Sequence, residues 1–208
     1  GGGIYISKSF GSIISNSSFN KNFTKDNGGG IYINSSMTYI DSSLFKENYS
    51  LHNGGGIYYY DSKECYLKNS HFSLNKAEDG GGIYIDESSF DIDNTYIKSN
   101  IATDDGGGLY TDKSFLKLRN SRFEDNISTS YGGAAYHEFS TLNIHSTIYR
   151  NNISNGKGYA LYLKKITLDI KNCKFRDQDS LKLFNIIDAL DDPLLIDKIK
   201  VSSLIEKY

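Results

Sequence analysis

The phrase GGGIYI opens the chain at Gly1 and returns at Gly28 and Gly80, with GGGIYY at Gly54 and GGGLYT at Gly106. GGAAYH at Gly132 and YALYL from Tyr159 continue the series in weaker form, so the step is 26 or 27 residues. Self-similarity at a fixed period of about 20–50 residues marks a solenoid, a propeller or an array. The unit to explain is therefore the repeat.

A second marker keeps the same period: FNKN at Phe19, FKEN at Phe45, FSLN at Phe72, IKSN at Ile97, FEDN at Phe123 and YRNN at Tyr149. It ends in Asn22, Asn48, Asn75, Asn100, Asn126 and Asn152, while the seventh unit reads FRDQ from Phe175. Five residues before the aromatic position stand Ile14, Ile40, Leu67, Ile92, Leu118, Ile144 and Ile170, aliphatic in all seven units. Three before it stand Asn16, Ser42, Asn69, Asn94, Asn120, Ser146 and Asn172, each followed by Ser, Thr or Cys. The alternation in stretches such as LKLRNSRF from Leu116 is that of strands.

A unit of this size, with short strands and Gly or Asn turns, cannot bury its apolar face alone, but stacked neighbours bury it for one another. The pattern predicts an all-β parallel β-helix of about seven coils over residues 1–178, each coil about 4.8 Å above the last. Identical residues then touch in columns. Phe stacks on Phe, and each Asn amide donates to the Asn carbonyl of the next coil. Gly and Asn, which tolerate left-handed backbone, are expected at the corners.

The alternation of GGG[IL]Y with FxxN in register resembles the repeats of the chlamydial polymorphic membrane protein family and of related protist surface proteins. The resemblance covers about residues 1–178 and weakens where Ala134, Ala135 and His137 replace bulky residues. It implies a right-handed parallel β-helix and a surface-exposed or secreted adhesin or structural rod.

Residues 179–208 hold the only proline, Pro193, and no glycine. Leu181, Phe184, Ile187 and Leu190 fit a helical cap, whereas VSSLIEKY echoes DSSLFKEN and fits a degenerate eighth coil, the reading favoured here. The chain opens inside the pattern, on GGG without Met, and reads as a piece of something longer.

A net charge of −2 with no basic run gives no reason to expect nucleic acid. No apolar run nears the roughly 18 residues that cross a bilayer. Cys65 and Cys173 lie four coils apart, too far for a disulfide, and are expected as buried free thiols. No cofactor motif is present. Sequons at Asn16, Asn22, Asn34, Asn48, Asn126 and Asn152 suit a glycoprotein, but those in the FxxN ladder are expected to be buried, leaving Asn34 and Asn16 as acceptors.

Three columns carry candidate chemistry. Tyr5, Tyr32, Tyr58, Tyr84, Tyr110, Tyr136 and Tyr162 alternate with inward aliphatics, which predicts an outward, exposed Tyr ladder able to stack sugar rings or a partner protein. Asp61, Asp86, Asp112 and Glu138 follow it as an acidic column that could attract calcium, and Asp26, Asp79, Asp104 and Asp105 gather before the glycines. His137, Glu138 and His145 are the one irregularity that could suggest a polysaccharide lyase or glycoside hydrolase. No catalytic residue is assigned. The expected function is a non-enzymatic extracellular or cell-surface rod, structural or adhesive, whose partners are copies of itself, other surface proteins or glycans; open terminal coils would let it form filaments.

Overall fold

A computed structural model describes residues 1–176 and the backbone of residues 187–190. The first six coils each contain four short strands, as in Ile83–Asp86, Ser89–Asp93, Tyr96–Lys98 and Ile101–Ala102. Equivalent strands of successive coils pair in parallel and build four sheets, called I to IV in chain order. The register follows the repeat: Ile83 lies between Ile57 and Leu109, and Phe72 between Phe45 and Ile97. Among the described residues no helix is long and apolar enough to cross a membrane.

The core is the sum of the inward columns. Ile40, Leu67, Ile92, Leu118 and Ile144 from sheet II are fully buried, facing Ile31, Ile57, Ile83 and Leu109 from sheet I. From sheet III, Phe19, Phe45 and Phe72 stack at 4.9 and 4.5 Å with rings within 6° of parallel. Removing the Phe45 ring would leave a gap bounded by Phe19 and Phe72, at about 3–5 kcal/mol for a buried Phe. Cys65 and Cys173 are buried and free.

The Asn ladder closes the polar side of this core. Asn100 Oδ1 accepts from the backbone N and the Nδ2 of Asn75, at 3.0 and 2.9 Å, and Asn100 Nδ2 donates to Asn126 Oδ1 and Phe72 O. Two bonds accepted and two donated exhaust a side-chain amide. A Ser ladder does the same after sheet I: the backbone N of Ser36, Ser62, Ser88 and Ser114 each donates to the Oγ of the next coil's Ser.

Corners form where single residues adopt left-handed backbone. Asn16, Asn69, Asn94, Asn120 and Asn172 do so between sheets II and III, as expected. The FxxN asparagines do not; the residue before each of them does, including Lys21, Glu47 and Leu74, because the amide must point inward to bond its copy. Gly80 turns at φ +59°, and a Cβ on Gly55 would lie 2.3 Å from the Gly81 carbonyl oxygen. The triplet thus combines a left-handed turn with coil-to-coil contact too close for any side chain. Coils 1 and 3 each absorb an extra residue locally, at the bulge beside Gly11 and at left-handed Glu64.

Strand Ile187–Leu190 adds to sheet I, with Ile187 opposite Leu161. The rest of the cap or eighth coil expected over residues 179–208 lies outside the described residues, as does Gln178 of FRDQ.

Candidate functional site

The Tyr ladder points outward from sheet I, yet it is not exposed. Tyr58, Tyr84, Tyr110, Tyr136 and Tyr162 are 5–9% exposed and form an apolar cluster of their own, with Tyr32 half-buried and only Tyr5, at 56%, open. The turn before each glycine corner folds back along the ladder: a Cβ on Gly80 would meet the Tyr84 Cβ at 3.1 Å, and the Tyr131 ring stacks on Tyr162 at 4.7 Å. Tyr84, Tyr110 and Tyr136 stack on one another at 4.5 and 4.7 Å, so their faces are already covered. The expectation of an open sugar platform on this column is corrected accordingly.

Carboxylates flank the ladder. Tyr110 Oη donates to Glu138 Oε1 at 2.7 Å, and Glu138 Oε2 accepts from Lys164 Nζ at 2.9 Å. Asp86 and Asp112 are register neighbours, and each has one buried oxygen without a hydrogen-bond partner. Burial, then the Asp112 charge, pushes Asp86 up to about 6. Asp61 does not belong to this column. Tyr60 pairs with Asp86, and Asp61 sits one residue on, at a left-handed corner beside Lys63 and Ser35. The acidic column therefore has three members.

On the glycine side, carboxylate oxygens of Asp79, Asp104 and Asp105 come within 4.8 Å of one another, a spacing that suits a hard cation. Asp79 Oδ1 accepts from Asp105 N and Asp105 Oδ1 from Tyr131 N, each at 2.9 Å. Burial raises Asp79 to about 6 and Asp105 to about 7, despite those bonds. Asp26 lies in an earlier coil, exposed.

The residues of the irregular coil 6 do not converge. His137 points into the core, fully buried, and burial drops its pKa to about 3. Glu138 points outward to Tyr110 and Lys164, and His145 lies on sheet II beside Asp169 at 3.2 Å. A general acid and base on one cleft are not assembled here.

Sequence reasoning missed two exposed rings and a groove. Tyr39 and Tyr66, outward on sheet II, are 37% and 39% exposed. A groove of about 440 Å³ at the corner between sheets II and III is lined by Asn16, Ser42, Asn69 and His71 among others. The alternation of TYID and CYLK was the available signal, since it sets Tyr39 and Tyr66 opposite the inward Ile40 and Leu67 columns.

The repeat, the four parallel sheets and the stacked columns now meet a family model, described as a right handed beta helix region, over residues 1–145. The chain belongs to the right-handed β-helix family. The fold is thus an all-β, right-handed parallel β-helix of about seven coils. No curated protein matches it. Among solved structures, the chain is similar to QnrB1, a plasmid-mediated fluoroquinolone resistance protein, at 11% identity and a TM-score of 0.22, over 96% of this chain and 100% of that one. A likeness that low carries no argument about fold or function.

Proposed function

We propose that this right-handed β-helix is a non-catalytic structural and adhesive rod, exposed at a cell surface or secreted. The observation that carries the reading is how the polar side chains are spent. From Asn22 to Asn152 each ladder amide is committed to its neighbours in the stack, and the Ser columns repeat the pattern. Such a molecule invests its chemistry in length. The scatter of His137, Glu138 and His145 supports the absence of an active site, and the pairing of GGG[IL]Y with FxxN supports kinship with polymorphic membrane protein-type surface repeats. Its partners are then other copies, surface proteins or glycans. Asn16, exposed at its corner, and Asn34, half-buried on sheet I, are the proposed glycan acceptors; Asn48 and Asn126 are fully buried within the ladder.

The test is electron microscopy of the native protein at near-physiological salt and calcium, paired with a reducing-end assay on neutral and uronate polysaccharides. Rods or fibres with no released ends support the proposal. Turnover of any polysaccharide would replace it with an enzyme.

A further inference from the structure

Sheet IV turns the usual alternation inside out. Its inward residues are small, with Ser50, Ala77, Ala102, Ser128 and Ser154 all buried, while its outward column reads Phe23, Tyr49, Lys76, Ile101, Ile127 and Ile153. The inner side has a local cause. A Cβ on Gly81, Gly107 or Gly133 would lie 2.5, 2.6 and 2.6 Å from the backbone of Ile101, Ile127 and Ile153, so the strands run against the glycine triplets and leave room only for small side chains. The outer side is different: Phe23, Ile101, Ile127 and Ile153 are 51%, 37%, 38% and 49% exposed. Strand propensity accounts for a β-branched residue there, which Thr also supplies, but not for an apolar one.

The column holds no acid and no glycine from coil 1 to coil 6, and its one lysine sets Nζ 5.7 Å from the centre of the Tyr49 ring. The other outward faces lack such a strip. The Tyr column of sheet I is covered, and on sheet II the line of Ile13, Tyr39 and Tyr66 passes into Asp91 and Lys117. A contiguous apolar strip on an otherwise polar surface marks contact with another molecule.

The flanks of the strip select that molecule. The side toward sheet III carries Lys21, Lys46, Lys98 and Arg150 against Glu47, Glu124 and Asp125, one cation in excess. The turn toward sheet I carries Asp26, Glu78, Asp79, Asp104 and Asp105 against Lys25 and Lys157, three anions in excess. Flanks of opposite sign are complementary to the same face rotated about an axis along the rod, because each basic flank then meets an acidic turn. Lys21 comes opposite Asp26 of the second copy, and Lys98 opposite its Asp104. Reversing the second copy instead sets the acidic turns of coils 3 and 4 against each other. Six strands at about 4.8 Å cover about 29 Å, and five residues across the face about 16 Å, so two copies bury on the order of 900 Å² together, the range of weak pairs.

We infer that the outer face of sheet IV joins two copies of this chain side by side, parallel and in register, about a two-fold axis along the Ile101, Ile127 and Ile153 column. The inference deepens the rod reading, on which it rests for a second copy as the partner, and it differs from end-to-end stacking, which uses the terminal coils.

Sedimentation velocity of the full chain from micromolar to millimolar concentration tests it. The expected mass rises from one chain to two. Ile101→Lys combined with Ile127→Lys should hold the chain monomeric with little change in melting, because both side chains point outward, while Tyr39→Lys on sheet II should leave the dimer as it was. If the double variant folds poorly, Ile127→Thr keeps the β-branch and should still weaken the dimer. Orientation is read with Ile153→Cys and a short bis-maleimide, since Cys65 and Cys173 are buried. Parallel pairing brings the two introduced thiols together and cross-links the dimer; antiparallel pairing sets each of them against coil 1 and does not. A monomer at millimolar concentration overturns the inference, as do dimers unaffected by the Ile101 and Ile127 substitutions, or an Ile153→Cys dimer that fails to cross-link. The rod reading fails separately: polysaccharide turnover would end it and leave the dimer standing, whereas a monomer leaves rods in the microscope untouched.

Discussion

The Asn ladder and the core of coil 6 both bury polar side chains completely, yet only the ladder gives them partners. Asn100 has zero exposure and four side-chain hydrogen bonds. His137 also has zero exposure, and neither of its ring nitrogens finds a partner; Thr111 Oγ1, its register neighbour, and Tyr149 Oη in the same coil are likewise alone. The chemistry of the side chains does not explain the contrast, since an imidazole bonds as readily as an amide. Repetition does. Asn100 meets Asn75 and Asn126, whose geometry is its own, whereas His137 lies between Thr111 and Leu163. In a solenoid the partner of a buried polar group is the next copy of itself, and a substitution in one coil orphans it.

The comparison can be broken first where it promises most. Asn100→Ala leaves Asn75 N and Nδ2, Phe72 O and Asn126 Oδ1 each short of a bond, at about 1–3 kcal/mol per unsatisfied buried group. Partial relaxation reduces the total, and denaturant unfolding should show a loss of about 3–5 kcal/mol. A loss below about 1 kcal/mol would mean that stacking of the Phe columns, not the ladder, holds the coils together.

The opposite sign is expected at His137. Replacing an orphaned imidazole by Leu, the residue already present one coil on, should stabilise by about 1–3 kcal/mol at pH 7. The gain should grow on acidification. The unfolded histidine takes a proton below its ordinary pKa of 6.5, while burial keeps the folded one neutral to about 3, so parental stability drains away as pH falls through that window. Melting curves from pH 7 to 4 read this directly. A gap that stays constant would reveal an unseen partner, such as a buried water, and erase the contrast with the ladder.

A smaller effect tests the carboxylates beside the Tyr ladder. Asp86 has its folded pKa raised from 3.8 to about 6, so its contribution is intact below 3.8 and is lost as pH rises through 6. Asp86→Asn should therefore stabilise at pH 8, by about 1 kcal/mol once solvent screening is allowed for, and make no difference at pH 4. A benefit that persists at pH 4 would assign the gain to packing instead of relieved repulsion from Asp112.

Much of the fold was legible. Period-two alternation placed Ile40, Leu67 and Ile92 inward, and the 26-residue step placed each above the last. The Asn ladder followed from the same two periods. The candidate sites were read less well, for reasons that can be named. Alternation says on which side of a sheet Tyr84 stands, not what lies above it, and the turn through Asp79 and Gly80 covers that side. Asp61 was placed in the acidic column because the extra residue of coil 3 hides the offset that the pairing of Tyr60 with Asp86 makes plain. Left-handed corners at Lys8, Leu74 and Phe139 carry no residue signature, since the stack imposes them on whatever side chain arrives.

The sequence by itself determined what varies along the axis: which residues stack, in what register, and which polar groups satisfy one another. Those are contacts between copies of one position, and a repeat writes them twice. The tertiary structure alone decided what happens across the axis, where turns meet sheets. It covered the Tyr ladder, raised Asp79, Asp86 and Asp105, and left Tyr39 and Tyr66 open. Those contacts join unlike positions, and their distance depends on corner angles that no spacing of residue types records.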